Sequence, residues 1–474
     1  MLSALTRLFR STSAKPSAPA VATRALEAGG GGRRRADDRT IWAPTSLYQQ
    51  AALIGARAQA YVLNDPRGAR ILEICAANIT GTGIKPRSEH PSEAMRSRLH
   101  RAYRVWSDRA DYVGLGDINA LQCLAVKDMA VYGEALFVWD AEPETGMPQL
   151  RRLHPEQLVR ERTYRLPTGG YVLQGVEFSA AGKIVAYWIR PHLPGDTVAV
   201  LTLAPQRVAA TDAIHLFRQL IPGQVRGVSW FAPILLPAKE LDALLDAMLV
   251  RAKVAAMHVG VVTTVDGQVS YNGDDTRDGG LDVTLEPGAM PVLPPGRDVE
   301  FMDMPDQGGA TALLTEGLRS LAVGIGVTYE QLSGDYSKVN YSSERSAKLE
   351  FRRFIETIQY HTMVFGFCRP VWMRFLRWQI LNGTIPASAY MADRAAFEAV
   401  KWLPPAWDWI DPKNDAIAAE VALRNRLRSR SEIIAERGYD AEDVDAEIAA
   451  ADARLARLGV SQFEAPAPND GAKT

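Results

Sequence analysis

The chain has 474 residues and a net charge of -1, with 54 Lys and Arg against 55 Asp and Glu, which excludes a whole-chain basic field for nucleic acid and leaves any such role to local patches. At 47% hydrophobic it can build roughly two to four packing units. Cys75, Cys123 and Cys368 are far apart with no CxxC, which argues against a disulfide framework or a zinc site and fits a reducing compartment, and no apolar run approaches the ~18 residues of a membrane span.

Residues 1–39 are rich in Arg, Ser and Ala and poor in acids. Two readings stand: an organelle transit peptide, or a flexible basic arm, which Gly29 to Gly32 and Arg33 to Arg35 favour because they build no core. From Thr40 to about Val228 the pattern is mixed. Ala120 to Asp140 runs from a helical pattern into a strand. Tyr171 to Pro191 reads as a hairpin around Ala181-Gly182. The expected class is α+β. Arg151, Arg152, Arg160, Arg162 and Arg165 form either a basic face or, more simply, a solvated surface.

Trp230 to His258 reads as a long amphipathic helix. Leu241, Leu244, Leu245, Met248, Leu249 and Ala252 fall on one stripe. Glu240, Asp242 and Asp246 lie toward its start and Arg251 and Lys253 toward its end, as the helix dipole favours. Residues 259–304 are rich in Gly, Val and Pro, with turn signals at Asn272-Gly273 and Pro295-Gly296. Nine acids there, among them Asp274, Asp275 and Asp278, face only Arg277 and Arg297. This predicts a small acidic β module between two helices. Ala310 to Gly326 is the second helix, weakened at its end by Gly324 and Gly326. A loop follows, then a helix capped by Ser342 or Ser343 with Glu344 in its first turn. Arg345, Lys348 and Arg352 share one face of it, although Arg352 can instead pair with Glu356. Further on, Asp411-Pro412, the capping box Ser429 to Glu432, Gly438 and Asp440 mark a helical C-terminal part. Residues 464–474 read as disordered.

The chemistry-bearing motifs are missing. GxxxxGK[ST], GxGxxG after a strand, HExxH and GxSxG do not occur. The seven histidines stand at no metal-ligand spacing. Asp274, Thr276, Asp278 and Gly279 resemble the start of a calcium loop, but its twelfth position is Leu285 where a bidentate Glu is needed. No catalytic residue, metal site or cofactor is expected; a dyad assembled from distant carboxylates is the one enzyme reading left open.

What remains is a segment, "GIGVTYEQLSGDYSKVNYSSERSAKLE", that resembles the most distinctive stretch of the portal proteins of tailed bacteriophages, lambda-like family. "IHLFRQLIPGQVRGVSWFAPIL" (Ile214 to Leu235), "NDPRGARILEICAANITGTGIKPR" (Asn64 to Arg87) and "WDWIDPKNDAIAAEVALRNRLRSRSEIIAERGYDAEDV" (Trp407 to Val444) resemble further segments in the family's order, over roughly residues 40–460.

The resemblance implies a ring, usually of twelve subunits, at one capsid vertex of a virion assembled in the host cytoplasm or encoded by a prophage. Double-stranded DNA would be packaged and ejected through it without sequence specificity. Its partners would be further copies of the chain, the terminase large subunit, head-completion or connector proteins, and the major capsid or scaffold protein, with no membrane. By position, 1–39 is a flexible basic tail, 40–228 the wing, 229–258 a stem helix, 259–305 the clip, 306–324 the second stem helix, 325–342 the tunnel-loop region, 343–405 inner wing helices and 406–474 a helical crown with a disordered end. Glu240, Asp242 and Asp246 are then candidates to line the stem channel. Lys338, Asn340, Tyr341, Arg345 and Lys348 are candidates to meet DNA, unless the tyrosines pack between subunits instead. Asp274, Asp275 and Asp278 are candidates to bind a partner at the clip. The rival readings are another capsid or nucleic-acid-binding structural protein, and an enzyme with a distributed site.

Overall fold

The computed structural model describes residues 50–193, 204–256, 260–264, 297–301, 308–337, 339–407 and 411–458. The arm at 1–39, the turn residues 265–296 with Asp274, Asp275 and Asp278, and Lys338 lie outside them.

The first half is an α+β unit. Helices α1 (Ala51–Asn64) and α2 (Pro66–Ile79) meet at Asp65, whose carboxylate accepts the Arg67 backbone N–H at 2.8 Å, with Pro66 in the first turn where its missing donor costs nothing. Strand β1 (Lys85–Ser88) and α3 (Glu93–Ser107) follow, then α4 (Ile118–Tyr132), which stops at Gly133 in the left-handed region and passes straight into β2 (Glu134–Ala141). Strand β3 (Pro148–Leu153) pairs with β2. The strands β4 (Tyr164–Arg165), β5 (Tyr171–Leu173), β6 (Val176–Phe178), β7 (Ile184–Ile189) and β8 (Gln206–Ala209) form a five-stranded antiparallel meander, and β9 (Ala213–Phe217) returns to the other edge of β2. The expected hairpin turns at Ser179–Lys183 between β6 and β7; a second, two-residue turn at Gln174-Gly175, both at positive φ, makes the β5–β6 hairpin.

The five arginines expected on a surface are mostly engaged. Arg152 Nε donates to Asp128 at 2.7 Å, Arg160 Nε to Glu156 at 2.9 Å, and Arg151 lies over Tyr112 and Arg162 over Trp188. Arg152 and Arg165 are exposed, as the solvated reading expects, while Arg151, Arg160 and Arg162 are half-buried.

The second half is helical. It comprises α5 (Leu235–Ala256), the antiparallel pair β10 (Gly260–Thr264) and β11 (Arg297–Phe301), α6 (Gly308–Ile325), the one-turn α7 (Tyr329–Ser333) and α8 (Tyr341–Ile358). Helix α8 continues through a π-helical stretch, Gln359–Cys368, into α9 (Arg369–Leu381). Pro370 accounts for the widening: it lacks a donor and its ring crowds the carbonyl four residues back, and the Arg369 N–H reaches Val364 O instead. There Gly366 lets β9 approach, since a Cβ would sit 2.4 Å from Leu216 Cδ2. The chain ends with α10 (Ala387–Ala392), α11 (Arg394–Glu398), β12 (Val400–Leu403) on β1, α12 (Pro412–Arg424), α13 (Arg430–Glu436) and α14 (Ala441–Arg457), with Asp411, Ser429 and Asp440 as caps. One apolar core joins α1, α2, α4, β2, β9, the start of α5, the end of α6 and the run from α8 to α9; a smaller one underlies the meander.

Two boundaries differ from the sequence reading. Helix α5 starts at Leu235, not Trp230. A start at Trp230 would bury Pro233 and Pro237 inside the helix, whereas the observed start leaves Pro237 in the first turn. The cap of α8 is Asn340, whose Oδ1 accepts the Ser343 N–H at 2.8 Å, rather than Ser342 or Ser343.

Candidate functional site

Helices α5 and α6 lean together through glycines. A Cβ at Gly317 would stand 2.6 Å from Leu241 Cδ1, and one at Gly324 would stand 2.4 Å from Ile234 Cγ2. The pair is long and thin: at ~1.5 Å per residue, α5 spans about 33 Å. Of the predicted stripe, Leu241 is buried, while Leu245 is 40% and Leu249 54% exposed; on α6, Leu313 and Val323 are also exposed. Leu244 and Met248 are half-buried, so among the described residues the stripe is covered along Leu241, Leu244 and Met248 and open along Leu245 and Leu249. Glu240, Asp242 and Asp246 are all exposed. Asp242 reaches back to Arg67 Nη2 at 3.1 Å, which ties α5 to the start of α2.

The distinctive segment is a succession of stops and starts. Gly326, at φ +84°, closes α6 in a Schellman motif: its N–H bonds Val323 O, and the Val327 N–H bonds Ala322 O. Thr328 and Gln331 then form a reciprocal capping box on α7. Gly334 at φ +71° ends that turn, and Asn340 opens α8. The Arg319 guanidinium lies over the Tyr329 ring and Arg70 Nε bonds Gln331 O, so α7 is held within the subunit. Among the DNA-contact candidates, Asn340 is spent as a cap, Lys348 pairs with Glu344 at 2.6 Å, and Arg345 is exposed. Tyr341 opens α8. Arg352 lies over Trp407.

A buried ionic junction sets the path into α5. Glu134 and Arg226 are both fully buried. Arg226 Nε donates to the two Glu134 oxygens at 2.9 and 2.8 Å, Nη1 to Leu158 O and Gln174 O, and Nη2 to Pro155 O and Glu134. All five donors of the guanidinium are used. Glu134 also meets His215 Nε2 at 2.9 Å and accepts the Gly227 N–H at 3.0 Å and Arg160 Nη2 at 3.3 Å. Burial opposes its charge, yet Arg226 and His215 hold its carboxyl well below the ordinary range. The backbones of Gly133 and Gly227 pass so closely that a Cβ on Gly227 would lie 1.9 Å from Gly133 O. Just beyond, Ser229 Oγ and the Trp230 N–H bond Ala130 O at 2.9 and 3.0 Å. The meander, the central sheet, the end of α4 and the entry to α5 thus converge on one carboxylate.

Titratable groups that gather elsewhere have structural work. In a cleft of 450 Å³ between α3 and α14, Asp117 caps α4, Asp440 caps α14, and His100 Nε2 accepts the Ser88 N–H at 2.9 Å. A groove of 760 Å³ lined by Arg98, Arg101, Arg109, Trp106 and Trp378 carries no carboxylate or histidine. No group of three or more His, Cys, Asp or Glu among the described residues could hold a metal ion, and no helix among them is long and apolar enough to cross a membrane.

The family model described as "Phage portal protein, lambda family" matches residues 32–359. The chain belongs to the lambda family of phage portal proteins. It is 26% identical over 432 residues to the "Probable portal protein" of Halomonas phage phiHAP-1, covering 87% of this chain and 82% of that one. It is 23% identical over 478 residues to "Portal protein B" of Escherichia phage lambda, covering 88% of each. A chain from the "Neck of native GTA particle computed with C12 symmetry" overlays with a TM-score of 0.47 at 15% identity, over 87% of this chain and 97% of that one, a likeness too low to bear on symmetry. The portal match takes in the helix pair, the stop-and-start segment and the Glu134–Arg226 junction. Of the junction, the sequence reading held Arg226 and Gly227 only as part of the Ile214 to Leu235 segment, and Arg160 only as part of a basic or solvated face. The available signal was Glu134, an acid heading an otherwise apolar strand directly after a helix-ending glycine.

Proposed function

We propose that this portal protein works as one subunit of a closed ring, usually of twelve, through which double-stranded DNA enters and leaves a capsid. The observation that carries the reading is the α5–α6 pair: two long helices, joined beyond their far ends by the β10–β11 ladder, whose outward leucines find no cover among the described residues. Repeating the subunit around an axis would cover Leu245, Leu249 and Val323 with the neighbour's helices. Exposed acids Glu240 and Asp246 are then available to face a channel. Acidic walls suit passage, because dense Lys and Arg would hold phosphate and slow its release.

In this reading residues 40–228 form the wing, α5 and α6 the stem, 259–305 the clip, 325–342 the tunnel-loop region and 406–474 the crown. The acids Asp274, Asp275 and Asp278 of the clip attract a basic patch on the terminase large subunit or a connector protein, and the wing meets the capsid or scaffold protein. The role is mechanical and needs no catalytic step from this chain. Lys338, Asn340, Tyr341, Arg345 and Lys348 remain the proposed contacts to DNA, with Asn340 and Lys348 the weaker of them because each already has a partner.

Negative-stain images of the purified protein test the ring: closed rings with a central hole are expected, and a monodisperse monomer at high concentration would sink it. Lys338→Glu, assayed beside Tyr341→Ala for ring yield and DNA content, separates the two readings of the loop. Altered packaging with normal rings marks Lys338 as facing DNA; lost rings with Tyr341→Ala mark a clamp between subunits.

A further inference from the structure

Among the described residues, the buried Arg226 and the half-buried Arg67, Arg87, Arg96 and Arg160 have carboxylates: Arg67 has Asp65, Arg87 has Asp440, Arg96 has Glu442, and Arg160 and Arg226 share Glu134. Arg218 does not. It leaves the end of β9 half-buried, its guanidinium 5.3 Å from the Trp230 ring and 5.3 Å from the Phe354 ring. Burial pushes the guanidinium down, and the other charge acting on it comes from Cys75, whose own thiol is pushed up to about 12 by burial and is neutral at pH 7. Among the described residues no carboxylate stands within ion-pair reach of it. Beside it, Trp230 Nε1 is buried without an acceptor. Two aromatic faces hold the cation in place but leave its in-plane donor fork open to solvent, and an open fork without a protein acceptor is what a planar carboxylate fits.

The location narrows the source. Trp230 lies on the segment that enters α5, and Phe354 packs on Gly326 where α6 ends, so Arg218 stands where the helix pair leaves the rest of the subunit. The uncovered Val323 lies on the same last turn of α6. We infer that Arg218 is a carboxylate-binding site completed by an adjacent copy of this chain, so that ring closure supplies the anion that the single subunit lacks. The inference rests on the ring reading. It also makes ring closure electrostatically selective: a misplaced neighbour leaves a half-buried cation unpaired.

The experiment uses full-length Arg218→Gln and Arg218→Lys. Ring content is followed by size-exclusion chromatography and negative stain across a salt series, and thermal melting is measured on the monomer fraction. For Arg218→Gln the rings should come apart at several-fold lower salt than wild type, while the monomer melts no lower, because an unpaired cation has been removed. Arg218→Lys should fall between, keeping the charge without the fork. Rings of Arg218→Gln as salt-resistant as wild type overturn the inference and leave the ring reading intact. So does an equal loss of stability in monomer and ring, which marks a packing residue, or normal rings with weakened binding of a short DNA duplex, which marks a phosphate contact. Wild-type protein that forms no rings overturns the ring reading, and this inference with it.

Discussion

The Glu134–Arg226 junction and the α5–α6 pair lie next to each other in the chain and are finished to different degrees. At the junction every donor of a buried guanidinium has an acceptor and two glycines bring the backbones together. On the helix pair, Leu241 is buried but Leu245 and Leu249 stand open. One region is complete among the described residues; the other leaves leucines open there. The difference teaches where to test for assembly: at the open leucines of the helix pair rather than at the finished junction.

The largest effect should come from breaking the junction. Arg226→Met leaves Glu134 charged and buried without its main partner, and should cost about 3–5 kcal/mol in denaturant unfolding. A loss under ~1 kcal/mol would mean that the pair is not what joins these elements. The same carboxylate sets a pH dependence. Its folded pKa is depressed, so its contribution is complete above the unfolded value of about 4.3 and drains away as pH falls from there toward the folded value. Circular dichroism from pH 7 to 3 should register that loss in the wild type and a flatter profile in the Glu134→Gln/Arg226→Met double variant.

Gly227→Ala tests the close approach. Its Cβ would collide with a carbonyl, not with a side chain that can turn away, and about 1–3 kcal/mol of destabilisation is expected. An unchanged melting temperature would place the two backbones farther apart. Asn340→Ala removes the cap of α8 and should cost about 1 kcal/mol, restored by Asn340→Asp; no change on either substitution would free Asn340 for a role outside the helix.

The smallest effect on the subunit sharpens the comparison most. Leu245→Asp places a charge on an exposed position and should shift monomer stability by no more than ~0.5 kcal/mol, while ring yield collapses because the charge would be buried at the neighbour. A variant that destabilises the monomer as much as it lowers ring yield would show that the stripe packs within one chain.

Local chemistry was readable from residues alone. Asp411-Pro412, Ser429, Asp440 and the glycine stops at Gly326 and Gly438 act through neighbours three or four positions away, so their spacing announced the helix ends. The order of helix, acidic turn-rich insert, helix and stop-and-start segment carried the family resemblance for the same reason: it is a one-dimensional pattern. The start of α5 was legible too, had Pro237 been weighed against the apolar stripe. The tertiary structure decided everything that joins distant positions. Arg226 meets Glu134 across 92 residues, Gly227 needs its hydrogen because Gly133 O lies against it, and Arg160, read as part of a solvated face, turns inward to Glu134 and Glu156. Periodicity could say that Leu241 and Leu245 share a stripe, but not that Gly317 reaches only Leu241. A stripe records which residues point the same way; what stands opposite each is fixed by the packing of the whole chain.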